Sequence, residues 1–172
     1  MTRHSSLAAA VLLAAAACGA RAHATLEQPQ AFADSYYKAI VQVSHGCKAS
    51  PTVAVRVRIP EGVMNVKPQP KPGWKVTVTR TALAQPVDAG HGRMVSERVS
   101  EVAWSGGPLA DEHFDEFRMT MKLPDRPGTT LYLPVVQECV EGVLRWIEVP
   151  ESGKPAAELK EPAPALKLAP KP

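Results

Sequence analysis

Val53-Ala54-Val55-Arg56-Val57-Arg58-Ile59 puts Val53, Val55, Val57 and Ile59 on one parity and Ala54, Arg56 and Arg58 on the other. In an extended chain successive side chains point to opposite faces, so one face is branched and apolar while the other carries both guanidinium groups. That is the pattern of a half-buried β-strand, and it recurs along the chain. Tyr37, Ala39, Val41 and Val43 share one face. Trp74, Val76 and Val78 alternate with Lys75, Thr77 and Thr79, and Phe117, Met119, Met121 and Leu123 alternate with Arg118, Thr120 and Lys122. Leu131 to Cys139 and Val143 to Val149 supply two further runs, and no long segment has helical spacing.

Turn residues separate these runs: Pro60-Glu61-Gly62, Pro72-Gly73, Gly106-Gly107-Pro108, Pro124 to Gly128 and Glu141-Gly142. Short strands punctuated in this way predict an all-β domain, an antiparallel β-sandwich, with Glu141-Gly142 closing a hairpin. Ala82 to Met94, with its glycines and proline, reads as a loop. From Glu151 onward Pro, Ala, Lys and Glu dominate, with prolines at 155, 162, 164, 170 and 172. The expectation for residues 151–172 is an extended or disordered, solvated tail that builds no sheet, rather than a partner-binding motif.

At the other end, Arg3 precedes an apolar run from Leu7 to Ala17, and Ala20-Arg21-Ala22 is a small-residue cleavage signal. Residues 1–22 are therefore expected to be a signal peptide and residues 23–150 the sandwich, in a periplasmic or secreted product. The run is too short to span a bilayer, so no transmembrane segment is expected in the mature chain. Cleavage after Ala22 removes Arg3 and Arg21, taking Lys+Arg from 20 to 18 against 17 Asp+Glu. That balance gives no basic surface for a nucleic acid. No Gly-rich phosphate loop, serine nucleophile elbow or HExxH pattern is present.

Cysteine usage agrees with export. Cys18 belongs to the leader, which leaves Cys47 and Cys139. In an oxidising compartment two cysteines are expected to pair, and a two-thiolate metal site is the rival reading. Ala15 to Gly19 also has a weak lipoprotein character through Cys18. Its position three residues before the cysteine is alanine where leucine is usual, which favours the cut after Ala22.

That cut makes His23 the first residue. Its freed α-amine and its imidazole can then hold one metal ion as a chelate, with reference pKa values near 7.7–8.0 and 6.5 that let a metal displace the protons near neutrality. Two nitrogens with oxygen donors in a tetragonal set suit Cu(II) better than zinc. Were residues 23–28 a strand, His23, Thr25 and Glu27 would share a face. Glu27 is thus a candidate oxygen ligand and equally a surface carboxylate. His45, next to the Cys47 turn, is either brought to the site by the bridge or an ordinary polar residue. His91 reads as a solvent-exposed loop residue, and His113 as part of the solvated charged turn Asp111 to Glu116. Met119 and Met121 read as core. Trp74 and Trp104 are assigned to packing or surface contacts, and Trp146 is singled out as an indole able to shield a metal.

His23-Ala24-Thr25-Leu26-Glu27, Ser35-Tyr36-Tyr37-Lys38, His45-Gly46-Cys47 with Ser50-Pro51-Thr52, Lys71-Pro72-Gly73-Trp74, Trp104-Ser105-Gly106-Gly107 and Pro134-Val135-Val136-Gln137 occur in order. Together with Trp146 to Pro150 they resemble the YcnI-like family of exported copper-binding domains. The resemblance implies a cupredoxin- or immunoglobulin-like β-sandwich and one Cu(II) held by a monohistidine brace. The terminal histidine is matched by His23 and a tryptophan beside the copper by Trp146. The family's better-known members add a carboxylate from the turn after the second strand. That position falls near Gly46 here, which leaves Glu27, His45 or water as the third ligand. The bridge Cys47–Cys139 would tie the same turn to the strand before Trp146.

The function expected on this basis is non-enzymatic copper storage, delivery or homeostasis, with copper as cofactor and copper-trafficking proteins as partners. The alternatives are a metal-free structural or interaction module and a copper monooxygenase. The monooxygenase fits less well, because the chain has few aromatics and no clear second histidine for the brace.

Overall fold

The alternating runs fold into strands, and no α-helix accompanies them among the described residues. The computed structural model describes residues 23–90, 92–151 and 158–172, so the leader with Cys18 and the reading of His91 lie outside the described residues. In chain order the strands are β1 (Thr25–Leu26), β2 (Gln30–Phe32), β3 (Tyr36–Val43), β4 (Thr52–Arg58), β5 (Met64–Pro68), β6 (Trp74–Asp88), β7 (Met94–Leu109), β8 (Asp115–Lys122), β9 (Thr130–Tyr132), β10 (Val135–Cys139), β11 (Val143–Trp146) and β12 (Ala165–Ala169). One sheet has the order β1-β3-β8-β5, the second β11-β10-β4-β7-β6, and a small third sheet β2-β12-β9.

The opening stretch is the centre of the second sheet. β4 lies between β10 and β7, with Val57 opposite Val135 on one side and Val102 on the other. Val55 and Val57 are fully buried, while Arg56 and Arg58 point outward. Arg56 there holds Glu138 at 2.6 Å. The first sheet contributes Tyr37, Ala39, Val41 and Val43 from β3 and Phe117, Met119 and Met121 from β8 to the same core. Phe117 lies edge-on to both Trp74 and Trp104, with centroids 5.1 and 5.6 Å away. Trp104, fully buried, donates its indole N–H to the Gln69 carbonyl at 3.1 Å, so its polar atom is satisfied. The two methionines and these two tryptophans thus pack as expected. Glu141-Gly142 closes the β10–β11 hairpin, with Glu138 opposite Val143.

Three expectations need correction. Ala82 to Asp88 is not loop but the far half of β6, which pairs with β7 out to Asp88↔Met94, and Met94 itself begins β7. Pro86 is accommodated because β6 is an edge strand and the register shifts between Ala82 and Val87. Asn65 secures the tip by donating to the Ala89 carbonyl at 2.5 Å. Second, the tail builds a sheet: β12 pairs antiparallel with β9 and parallel with β2, the one parallel strand pairing in the described sheets. Ala165-Leu166-Lys167-Leu168-Ala169 is itself a short alternating run bracketed by Pro164 and Pro170, and Leu166 and Leu168 are fully buried. Its proline- and lysine-rich surroundings conceal that alternation. Third, the runs 131–139 and 143–149 are shorter as strands. The first breaks at Pro134 between β9 and β10, and the second ends at Trp146.

Asp34 fastens the tail further. Its carboxylate meets Lys122 and Lys171, each at 2.5 Å. Hydrogen bonds from these ammonium groups, Lys122 first, hold its pKa down to about 2.

If β12 is integral, Leu168→Ala lowers unfolding stability by about 2–5 kcal/mol, the usual loss for a buried leucine. Urea denaturation checks this, and an unchanged midpoint would mean that the strand is dispensable. The Asp34 contribution is present above the unfolded carboxylate pKa near 3.9 and is lost as pH falls through about 2. Asp34→Asn is therefore less stable than wild type at pH 7, and the gap closes on acidification to pH 2. Urea midpoints across that range read it.

Candidate metal centre

β1 and β11 are the edge strands of the two main sheets. His23, two residues before β1, meets Trp146, the last residue of β11, with ring centroids 5.3 Å apart and planes inclined by 57°. Trp146 is held by pairing with Val135 and is 6% exposed, while His23 is half-buried. The register Thr25↔Gln42 and Leu26↔Val41 runs β1 back along β3, so residues before Thr25 approach the loop after Val43. That loop carries His45, whose ring is edge-on to the same indole at 6.5 Å. One tryptophan therefore has two of the predicted histidines around it.

A buried amide fixes this arrangement. Val135, Gln137 and Cys139 share the inward parity of β10, and Gln137 is 1% exposed. Its Oε1 accepts the Trp146 indole N–H at 3.3 Å. Its Nε2 donates to the His45 carbonyl at 2.6 Å and to the Thr52 hydroxyl oxygen at 2.8 Å. An exchanged amide would set an oxygen against the His45 carbonyl and a nitrogen against an indole that can only donate, so the orientation is settled by its partners. The indole nitrogen is engaged as a donor, which leaves Trp146 to act as a wall and not as a nitrogen ligand.

The His45-Gly46-Cys47 loop is pinned on every side. Cys47 is bonded to Cys139 with Cα atoms 6.0 Å apart, the pairing expected from the sequence. The Gly46 N–H donates to Asp111 Oδ1 at 2.8 Å, and Cys47 and Ser50 exchange backbone hydrogen bonds at 2.9 and 3.1 Å. A Cβ at position 46 would stand 2.0 Å from the Ser50 carbonyl oxygen, so glycine alone fits there. A carboxylate side chain at this position is sterically excluded.

Glu27 lies elsewhere on the first sheet. It is exposed just beyond β1, its N–H donates to the Ile40 carbonyl at 3.0 Å, and its charge acts on Tyr37 and Arg118. Burial, with a smaller contribution from Glu27, pushes the Tyr37 hydroxyl up to about 12, so it stays protonated and donates to the Gln28 carbonyl at 2.7 Å. Four residues of extended chain, on the order of 13 Å, separate Glu27 from His23. His113 is exposed with Glu112 3.9 Å away, as a solvated turn requires. Among the described residues no three His, Cys, Asp or Glu side chains converge on one point. A terminal chelate does not need them, since one of its donors is a main-chain nitrogen. Were His23 the first residue, its imidazole and α-amine, beside the Trp146 indole, would be donors of the kind that suits Cu(II).

Residues 23–168 match the family described as Domain of unknown function (DUF1775). The chain belongs to that family. The DUF1775 match takes in most of β12, the strand whose sequence reads as tail. Among solved structures, the chain is similar to "an uncharacterized protein from Nocardia farcinica" with an immunoglobulin-like fold. The identity is 25%, the TM-score 0.66, and the alignment covers 86% of this chain and 98% of that one. No curated protein matches. The fold of this DUF1775 chain is thus an immunoglobulin-like β-sandwich, and neither comparison names an activity. Among the described residues no helix is long and apolar enough to cross a membrane.

Sequence reading missed Gln137 and Asp111. Gln137 is legible in retrospect as a polar side chain on the inward parity of β10. Asp111 has no local signal, because it sits in a run of charged residues and reaches Gly46 only through the turn after β7.

The bridge closes a loop of 92 residues. Cys47→Ala combined with Cys139→Ala is expected to cost on the order of 4–5 kcal/mol by the chain-entropy relation, read from urea unfolding. A loss below about 1 kcal/mol would show that the hydrogen bonds alone hold the loop.

Proposed function

We propose that this is an exported, non-enzymatic copper-binding protein that holds one Cu(II) through His23 as the mature N-terminal residue. The observation that carries the reading is the placement of His23, directly after Ala20-Arg21-Ala22, half-buried against Trp146 at the open edge of the sandwich. The α-amine and the ring Nδ1 of one histidine are linked through Cα, Cβ and Cγ, so both bind one metal without any loop closing. The wall of Trp146 excludes water from one side and keeps a strong ligand off that direction. The ordered resemblance to the YcnI-like domains supports the same assignment. On this reading the protein works in the periplasm or outside the cell in copper storage, delivery or homeostasis, with copper as its cargo and copper-trafficking proteins as its partners.

A metal-free interaction module is the second reading, and the lack of three converging metal-ligating side chains among the described residues is the observation in its favour. One titration separates the two. Protein beginning at His23 takes up one equivalent of Cu(II), and the same protein with that α-amine acetylated binds on the order of 100-fold more weakly, because acetylation ties up the amine lone pair in an amide and removes the second donor of the chelate. Equal affinity of the two forms would refute the brace.

A further inference from the structure

The groove between β5 and the far half of the β6–β7 hairpin holds an excess of positive charge. Its volume is about 450 Å³, and Lys67, Arg80, Arg93 and Arg98 line it with one carboxylate, that of Glu97. Among the described residues none of these four cations forms an ion pair, whereas Arg56, Lys71, Arg118 and Lys122 each meet a carboxylate. We propose that this end of the hairpin docks on an anionic phospholipid surface, the four cations taking lipid phosphates and Met94 entering the interface beside them. The inference is independent of the copper reading and uses none of its residues.

Three observations favour a lipid surface over a small soluble anion. First, the cations are strung out along the hairpin. Arg80 stands opposite Val99 and Arg98 opposite Thr81, whereas Arg93 lies beyond the last pair, Asp88↔Met94. Five residues of extended chain, on the order of 16 Å, part Arg98 from Arg93. Spread over that length, they offer a line of contacts to a row of headgroups, not the convergent cradle of a lone phosphate. Second, Met94 lines the same groove and is 60% exposed, and Val87 near it is exposed as well. An apolar group rimmed by long cationic side chains has the make-up of an interfacial anchor: the apolar group leaves water while the cations stay among the phosphates.

Third, this end of the hairpin is braced before any ligand arrives. Arg93 donates to Asn65 Oδ1, Asn65 donates to the Ala89 carbonyl at 2.5 Å, and the Ala89 N–H donates to the Arg93 carbonyl at 2.9 Å. One guanidinium nitrogen of Arg98 donates to the Ile59 and Val99 carbonyls at 3.1 and 3.3 Å, which fixes the group and leaves its other N–H donors for phosphate. Groups already in place lose little freedom on docking. The nearby Asp88 is engaged, its Oδ1 accepting the Gly90 N–H at 2.7 Å. Tyr36, at the start of β3, borders Gly90 and Arg93, while β1 runs alongside the other end of β3. Docking through the hairpin therefore leaves the His23 corner uncovered.

The test is co-sedimentation of the protein, with no metal added, with phosphatidylcholine vesicles that contain either no anionic lipid or about one-third phosphatidylglycerol. At about 0.1 M salt the protein is expected to sediment with the anionic vesicles alone, and to be released at about 0.5 M salt, where screening is stronger. Lys67→Gln combined with Arg80→Gln removes two exposed cations that make no hydrogen bond among the described residues. It is expected to weaken binding on the order of 25-fold, fivefold for each cation near the surface. Lys48→Gln combined with Lys75→Gln removes the same charge beyond the end of β3 and at the start of β6, and is expected to leave binding unchanged. Met94→Gln, with no change of charge, is expected to weaken it several-fold. No preference for the anionic vesicles overturns the proposal. So does an equal loss in the two double variants, which would mean capture by net charge alone. Release by inorganic phosphate at constant ionic strength also overturns it, in favour of a soluble phosphate ligand.

Discussion

The hydrogen bonds of one buried amide hold the site end of the sandwich together. Gln137 sits on the inward face of β10 where an apolar side chain would ordinarily pack, and an unsatisfied amide there would cost several kcal/mol. Its three partners remove that cost and impose geometry in return. The indole of Trp146 is fixed from the second sheet's edge, the His45 main chain from the loop that crosses between sheets, and Thr52 from the start of β4. Trp146 and the main chain of His45 are both held by that side chain, and the loop's Cys47 by the disulfide two residues beyond it.

The rest of the fold presents this corner. β4 is buried on its inner face and paired on both sides, so the loop before it leaves a rigid strand. Short β1 ends the first sheet, and its small extent leaves the chain before Thr25 to turn toward β11. The tail strand β12 lies on a different face, with β2 and β9, and Lys171 ties the chain end to Asp34. The region around His23 and the tail thus have separate physical settings. His23 lies at the side against Trp146, and the tail closes the core beneath a third small sheet.

Much of this was readable before any coordinates. Period-two alternation over Val53 to Ile59 and its repeats gave the strands and the sandwich, because a half-buried strand leaves that mark in every sequence. The disulfide followed from the number of cysteines and the oxidising compartment that the sequence led one to expect. The failures have local causes. Pro86 reads as a loop signal, yet an edge strand with a register shift tolerates it. Five alternating residues at 165–169 are outweighed by the prolines and lysines around them. His23 was singled out by the cleavage signal before it and Trp146 by a family resemblance, and their rings lie 5.3 Å apart. The partnership of Gln137, Asp111 and the Gly46 amide was not, because hydrogen bonds across sequence separations of 65 to 92 residues leave no periodic trace.

The central claim concerns a terminus that only processing creates, so native mass spectrometry of the exported protein, isolated and given one equivalent of Cu(II), tests it most directly. The account predicts a chain that begins at His23, lacks two hydrogens for the Cys47–Cys139 bond and carries one copper. A chain that begins at another residue, or one that begins at His23 and stays metal-free, would contradict it.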